Sequence, residues 1–269
     1  VTSINKSSNT MRQPRSILIT GASSGIGAAL ALGYAQSGVS LFLGGRHAKR
    51  LTQIAQACKA RGATVEERMV EVTDCSKMAA WIAEADAAVP LDLVIANAGL
   101  SAGISDGEHS EPEEQVRRLF AVNVDGALNT VLPALPLMQR RGHGQIALMS
   151  SMAGFRGLAG ASAYCATKAA VRVLGEGMRG TVAASGIEVS VICPGYVRTP
   201  MTEANRFTMP FLMDADRAAR IIQSGLARNR SRIAFPLRMY GALWLLQILP
   251  VALTDAIVAR LPRKTPVGE

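Results

Sequence analysis

Tyr164 and Lys168 stand four residues apart in Ser162-Ala163-Tyr164-Cys165-Ala166-Thr167-Lys168. Four residues are about one turn of helix, so both side chains leave the same face, one above the other. A phenol normally titrates near pH ~10, too high for ready proton exchange at neutral pH. An ammonium group held close by favours the phenolate and lowers that value, which suits a proton donor and acceptor. A Tyr/Lys pair on a helix surface is commonplace, and this one gains its weight from two companions. One is the glycine-rich stretch over residues 20–27, and the other is Ser151, thirteen positions before the tyrosine.

The frame that could hold these groups shows in the alternation of short apolar runs with helical stretches. Strands are expected over 16–20, 39–43, 65–72, 91–96, 146–149, 189–193 and 233–235. Helices are expected over 24–37, 47–61, from an N-cap at Asp74 to the high 80s, and over 112–140, 161–184 and 214–228. This alternation calls for an α/β fold, a Rossmann-like doubly wound parallel sheet of about seven strands with helices on both faces. No linker rich in Pro, Gly or Ser divides the chain, and no internal repeat is visible. The expected organisation is a mobile N-terminal tail over 1–13, one domain over 14–237, and an apolar helical appendage over 238–269.

Thr20-Gly21-Ala22-Ser23-Ser24-Gly25-Ile26-Gly27 falls between the first strand and the first helix. Glycines there permit a tight turn, close approach of backbone to a diphosphate, and close packing of helix on strand. The helix N-terminus offers free N–H groups and a positive dipole end to the anion. The spacing is G-x-x-x-G-x-G rather than the commoner G-x-G-x-x-G, and its placement favours dinucleotide binding over a purely structural turn. The second strand ends at Gly44-Gly45-Arg46, with no acidic residue to accept from an adenosine ribose diol. Arg46 can meet a 2′-phosphate with a charge-assisted contact, which favours NADP(H) and leaves NAD possible; the alternative is a solvated arginine opening a helix. Ser151 ends the fifth strand, and Asn123 falls in the preceding long helix. Because ligands bind at the carboxyl ends of an open parallel sheet, Ser151, Tyr164, Lys168 and Asn123 should converge beside the cofactor.

Over about residues 15–235 the chain resembles a short-chain dehydrogenase/reductase of the Tyr-x-x-x-Lys type. The resemblance rests on Thr20–Gly27, on Asn97-Ala98-Gly99, on Ser151 with Tyr164 and Lys168, and on Pro194-Gly195 with Thr199. It implies that Tyr164 is the general acid/base. It further implies that Lys168 binds the nicotinamide ribose and lowers the tyrosine's pKa, and that Ser151 orients the substrate oxygen. Asn123 would hold a water in a proton relay from Lys168. Gly21, Ser23, Ser24, Gly25, Ile26 and Gly27 would cradle the diphosphate; Asn97, Ala98 and Gly99 would flank the adenosine; Pro194, Gly195, Val197 and Thr199 would line the nicotinamide. Many relatives carry an aspartate where this chain has Glu71, so Glu71 or the backbone at Val72 would meet the adenine. The activity implied is hydride transfer between a nicotinamide and a carbonyl or secondary alcohol, with no metal. The competing class is a non-catalytic NAD(P)-binding regulator of the same fold, which has no need of all four polar residues together.

Substrate identity is less legible. Residues 201–213 occupy the family's lid, and Met201, Phe207, Met209, Phe211, Leu212 and Met213 make it apolar. They suit a lipophilic carbonyl compound or serve equally to pack the lid down. Residues 100–110 should form the second wall.

At 269 residues, 49% hydrophobic and 18% charged, the chain can bury one large core. Its formal net charge is +9, yet the basic residues are scattered and no nucleic-acid motif appears, so nucleic acid is not an expected partner. Four cysteines with neither metal nor disulfide spacing read as reduced thiols in a cytoplasmic protein, Cys165 being the one to watch beside Tyr164. Residues 239–261 are apolar but interrupted by Pro250, Asp255 and Arg260, which suggests two short helices rather than a spanning one. They could pack on the domain, join subunits of a homodimer or homotetramer, or touch a membrane surface peripherally.

Overall fold

Ile17, Leu18 and Ile19 of β1 (Ser16–Thr20) are all wholly buried, yet they serve two different cores. Successive side chains of a strand point to opposite faces. Ile17 and Ile19 therefore join Leu30, Leu51 and Ile222 on one side, while Leu18 joins Met78, Trp81 and Val131 on the other. A strand apolar at every position needs cover on both faces, and a parallel sheet between two helical layers supplies it. The computed structural model describes residues 13–104, 110–203, 205, 207–250 and 253–255.

Seven parallel strands run in the order β3-β2-β1-β4-β5-β6-β9. Beside β1 they are β2 (Ser40–Gly45), β3 (Thr64–Met69), β4 (Leu93–Ala96), β5 (Gly144–Met149), β6 (Ile187–Pro194) and β9 (Arg232–Phe235). One face carries α1 (Gly25–Tyr34), α2 (Ala48–Lys59) and α8 (Ala215–Ala227); the other carries α3 (Cys75–Ala88), α5 (Gly126–Arg141) and α6 (Ser162–Val182). The order of strands reverses between β1 and β4, which opens a crevice at their carboxyl ends. A small separate pair, β7 (Val197–Arg198) with β8 (Met213–Asp214), brackets α7 (Pro200–Glu203) beside that crevice.

The seven expected strands are all present, and two expectations need correction. β3 stops at Met69 rather than 72; it is an edge strand with Glu66, Glu67 and Arg68 on it, and beyond Val70 the chain turns into α3. Asp74 caps that helix, accepting from the Lys77 N–H at 3.0 Å. The continuous helix expected over 112–140 is instead α4 (Glu113–Phe120), a π turn at Ala121–Asp125, and then α5. The weaker backbone geometry of a π turn is sustained by side-chain contacts, here the hydrogen bonds of Asn123 described below. The apolar appendage begins as a short helix, α9 (Leu237–Ile248), which ends before Pro250. One face of α9 packs Tyr240 and Leu243 near Phe155, Val191 and Cys193, while Trp244, Leu245 and Ile248 are exposed. Residues 1–12 of the tail expected over 1–13, residues 105–109 of the second wall, and most of the second short helix lie outside the described residues. Among the described residues no helix is long and apolar enough to cross a membrane.

Trp81 is the largest wholly buried side chain, and it sets the end of β2. A Cβ added at Gly44 would lie 2.6 Å from the Trp81 ring, so the glycine is what lets the indole lie against the strand. Trp81→Ala is expected to cost about 3–5 kcal/mol, seen as a lower urea midpoint at unchanged m-value.

Candidate active site

The glycine-rich turn is shaped by its neighbours. Gly21 and Gly25 have φ of 67° and 56°, in the left-handed region that glycine adopts without strain. A Cβ at Gly27 would lie 2.3 Å from the Gly21 carbonyl oxygen and 2.5 Å from the Asn97 amide. Asn97 ties this loop to the end of β4: its side chain donates to the Thr20 and Gly21 carbonyls at 2.9 and 3.3 Å. The N–H groups of Asn97 and Ala98 donate to the Thr20 hydroxyl at 3.1 and 3.2 Å. Gly21, Ser23, Ser24, Gly25 and Ile26 line a cavity of about 690 Å³, and Gly27 is not on its wall. The first turn of α1 carries no acidic residue. A bare backbone concavity at a helix N-terminus fits a diphosphate.

At the end of β2 the same cavity meets Arg46, and with it His47 and Arg50, which the sequence reading missed. Arg50 follows Arg46 by four residues, and that spacing was the available signal. Arg46 Nε lies 3.8 Å from Glu71 Oε1, a loose and half-exposed pair worth little by itself. Glu71 thus faces the arginine. The Val72 carbonyl accepts from the Asn129 side chain at 2.9 Å, which fixes the segment after β3 to α5.

The reactive groups gather where β5 ends. The strand stops at Met149, and Ser150 and Ser151 lie just beyond it. The buried Ser150 hydroxyl donates to the Lys168 carbonyl at 2.7 Å, and Lys168 Nζ donates to the Met149 carbonyl at 3.0 Å. Lys168 is 5% exposed, and its ammonium lies 5.9 Å from the centre of the Tyr164 ring. Ser151 Oγ accepts from the Ala153 N–H at 3.1 Å and hydrogen-bonds the Tyr164 phenol. The helix that carries Tyr164 is capped from a distance: the Glu111 carboxylate accepts from the Ser162 hydroxyl and from the Ala163 N–H at 2.9 Å. Cys165 is buried beside the tyrosine.

Burial pushes the Tyr164 phenol up to about 12, while the Ser151 hydrogen bond pulls it down. This corrects the expectation that the ammonium would set the phenol's titration: taking the phenolate out of water is the larger effect here. A phenol that keeps its proton at neutral pH is a proton donor to a stronger base, such as a developing alkoxide.

Asn123 is 1% exposed and is absent from the cavity wall. Its Oδ1 accepts from the Leu100 N–H at 2.7 Å, and its Nδ2 donates to the Leu100 carbonyl at 3.0 Å and to the Thr167 hydroxyl at 3.0 Å. The side chain thereby staples the loop after β4 to α6. A Cβ at Gly99 would fall 3.0 Å from Asn123 Oδ1 and 3.2 Å from Lys168 Nζ, so glycine keeps that wall thin over the ammonium. On the far side, Pro194, Gly195, Val197 and Thr199 line the cavity, with Thr199 Cγ2 3.0 Å from the place of a Cβ on Gly25.

The lid expected over 201–213 divides residue by residue. Met201 and Pro210 line the cavity, Met213 is buried in the core, Phe207 stacks edge-on to Tyr196, and Phe211 is exposed. Part of the remaining wall comes from elements the sequence reading left out of the site: Arg156 and Leu158 after the Met152–Gly154 turn, and Met239, Ala242, Leu243 and Leu246 of α9.

Known proteins resemble this chain in sequence and fold. The short chain dehydrogenase family model matches residues 15–209. An uncharacterized oxidoreductase of Myxococcus xanthus is 39% identical over 248 residues, 92% of this chain and 97% of that protein. A ketoacyl reductase of Nostoc is 32% identical over 200 residues, 74% of this chain and 69% of that protein. Among solved structures, a short-chain dehydrogenase from Sphingobium yanoikuyae in complex with NADPH superposes with a TM-score of 0.77 at 27% identity, over 92% of this chain and 96% of that one. The chain belongs to the short-chain dehydrogenase family and is an oxidoreductase.

The staple at Asn123 can be tested without any ligand. Asn123→Leu keeps the volume but strands the Leu100 N–H and the Leu100 carbonyl, while the Thr167 hydroxyl keeps its own bond to the Tyr164 carbonyl at 2.8 Å. A loss of about 1–3 kcal/mol for each group left unsatisfied is expected, measured by urea unfolding against Asn123→Asp, which keeps the acceptor.

Proposed function

We propose that this enzyme moves hydride between the nicotinamide of NADP(H) and an apolar ketone or its secondary alcohol. The observation that carries the reading is the continuity of one cavity of about 690 Å³. It runs from Arg46 and Arg50, past the glycine cradle, to Ser151 and Tyr164, and on to the apolar side chains of α9. The NADPH complex of the Sphingobium relative and the ketoacyl reductase of Nostoc support it.

In this reading Gly21, Ser23, Ser24, Gly25 and Ile26 hold the diphosphate, and Gly27 lets the helix close on the turn. Arg46, with Arg50 beside it, takes the 2′-phosphate. Val72, Asn97, Ala98 and Gly99 border the adenosine side, and Glu71 competes for Arg46 rather than meeting the adenine. Pro194, Gly195, Val197 and Thr199 border the nicotinamide. When bound, the nicotinamide ring supplies or accepts the hydride.

The chain's own residues do the rest. In reduction Tyr164 gives its phenolic proton to the substrate oxygen as charge develops there, and the Ser151 hydroxyl donates a second hydrogen bond to that oxygen. Lys168, fixed by the Met149 carbonyl, places a positive charge near the phenolate that results. Asn123 holds the Leu100 wall and Thr167 in place, so that Tyr164 and Lys168 keep their relation one helical turn apart.

Nucleotide choice is tested by fluorescence titration with NADPH and NADH. The wild type should bind NADPH more tightly, and Arg46→Ser should weaken NADPH about 10- to 100-fold, the worth of a hydrogen bond to a charged group, with little change for NADH. Equal affinities in the wild type would overturn the NADP(H) preference.

The elevated phenol gives a pH signature with a definite sign. Reduction needs the protonated Tyr164 and should stay level from about pH 6 to 9, well below its titration near 12. Alcohol oxidation needs the phenolate and should rise about tenfold per pH unit over the same range. Tyr164→Phe should abolish both while leaving NADPH titration nearly unchanged. Oxidation that is flat with pH would remove Tyr164 from the acid/base role.

A further inference from the structure

Arg156 is a cation on a cavity wall that also carries the apolar side chains of α9, and the fold does not use all of it. A guanidinium carries several N–H donors and no acceptor. Its Nη2 donates to the Thr254 hydroxyl at 3.0 Å and to Asp255 Oδ1 at 2.6 Å. Its Nε is buried and meets no acceptor, a standing cost that an incoming oxygen would relieve if the side chain re-seated on it. On the same cavity, Met239, Ala242, Leu243 and Leu246 follow the i, i+3, i+4, i+7 pattern that puts them on one face of α9, and all four line the wall. That face is held down by Gln247, whose side chain donates to the Phe155 carbonyl at 2.7 Å, next in sequence to Arg156.

We infer that α9 and Arg156 form a distal substrate subsite, which selects an apolar ketone carrying a second, uncharged oxygen acceptor such as an ester, amide or further ketone. The subsite rests on the hydride-transfer reading above. The alkyl part lies along the α9 face, and the second oxygen accepts from the Arg156 guanidinium. The acceptor is uncharged because Asp255 already balances the guanidinium, so a carboxylate would bring a second negative charge to one cation within an apolar wall.

The test uses the full-length enzyme, a methyl ketone, and keto esters of the same chain length whose ester stands at increasing distance from the ketone. At one spacing kcat/KM for the keto ester should exceed that for the methyl ketone by about tenfold or more, the worth of a hydrogen bond to a charged donor. Arg156→Met should erase that ratio, and thermal-shift titration with the corresponding hydroxy ester should show a matching loss of affinity. Asp255→Asn, which weakens the ion pair but leaves the guanidinium, should keep the ratio. No preference at any spacing overturns the subsite. So does a ratio lost as fully in Asp255→Asn as in Arg156→Met, which would make the arginine a latch for the C-terminal segment. Preference for the free keto acid over its ester overturns the uncharged acceptor. These outcomes leave hydride transfer standing, whereas a wild type that binds neither nucleotide, or reduces no ketone at all, overturns both readings.

Discussion

The reactive end of this molecule depends on how α6 is fastened to β5. Two buried hydrogen bonds run in opposite directions across that seam, from the Ser150 hydroxyl to the Lys168 carbonyl and from the Lys168 ammonium to the Met149 carbonyl. Gly154 lets the seam close: a Cβ there would lie 2.8 Å from the Lys168 carbonyl. Tyr164 is one turn earlier on the same helix, so its position follows from where Lys168 is held. Glu111 at the N-terminus of α6 and Asn123 beside Thr167 then restrain the helix from two further directions. Such contacts set side-chain geometry to within tenths of an ångström, which a proton transfer requires and hydrophobic packing alone does not supply.

The cavity is electrically graded along its length. Its first part combines Arg46, Arg50 and the N-terminus of α1, a region made for negative charge. Its middle holds a buried phenol and a buried ammonium in little water, where hydrogen bonds and charges act at greater strength than at the surface. Its last part joins the apolar side chains of α9 with the guanidinium of Arg156. A molecule lying along this gradient has only one favourable direction, since reversal would put anionic groups against Leu243 and Leu246. Orientation is therefore settled before any single contact is made.

Much of this was legible in the chain itself. Runs such as Ser16–Thr20, apolar at alternate and intervening positions, require cover on both faces, and the seven parallel strands follow from that requirement. The glycine turn and the Tyr164/Lys168 spacing are local patterns, and the topology brings them to one sheet edge. What was hidden depends on contacts distant in sequence. Nothing in Ala121–Asp125 marks a π turn, because its stabilising partners are Leu100 and Thr167. Glu111 caps a helix that begins 51 residues later. The spacing of Tyr164 and Lys168 revealed the ammonium but not the burial that outweighs it. Arg156 and α9 enter the cavity wall only through tertiary packing, and no local pattern announces them.

The placement of α9 bears on how such an enzyme can change over evolutionary time. None of its residues is fully buried, yet four of them border the cavity. The two large cores do not include α9, which touches the sheet through Tyr240 and Leu243 on Phe155, Val191 and Cys193, so substitutions at Met239, Ala242 and Leu246 are the ones less coupled to the stability of the domain. If α9 borders the substrate as proposed, change at Met239, Ala242 and Leu246 can reshape what the enzyme accepts while leaving the seam at β5 and α6 untouched. On that proposal, selectivity and foldability are carried largely by separate stretches of the same chain.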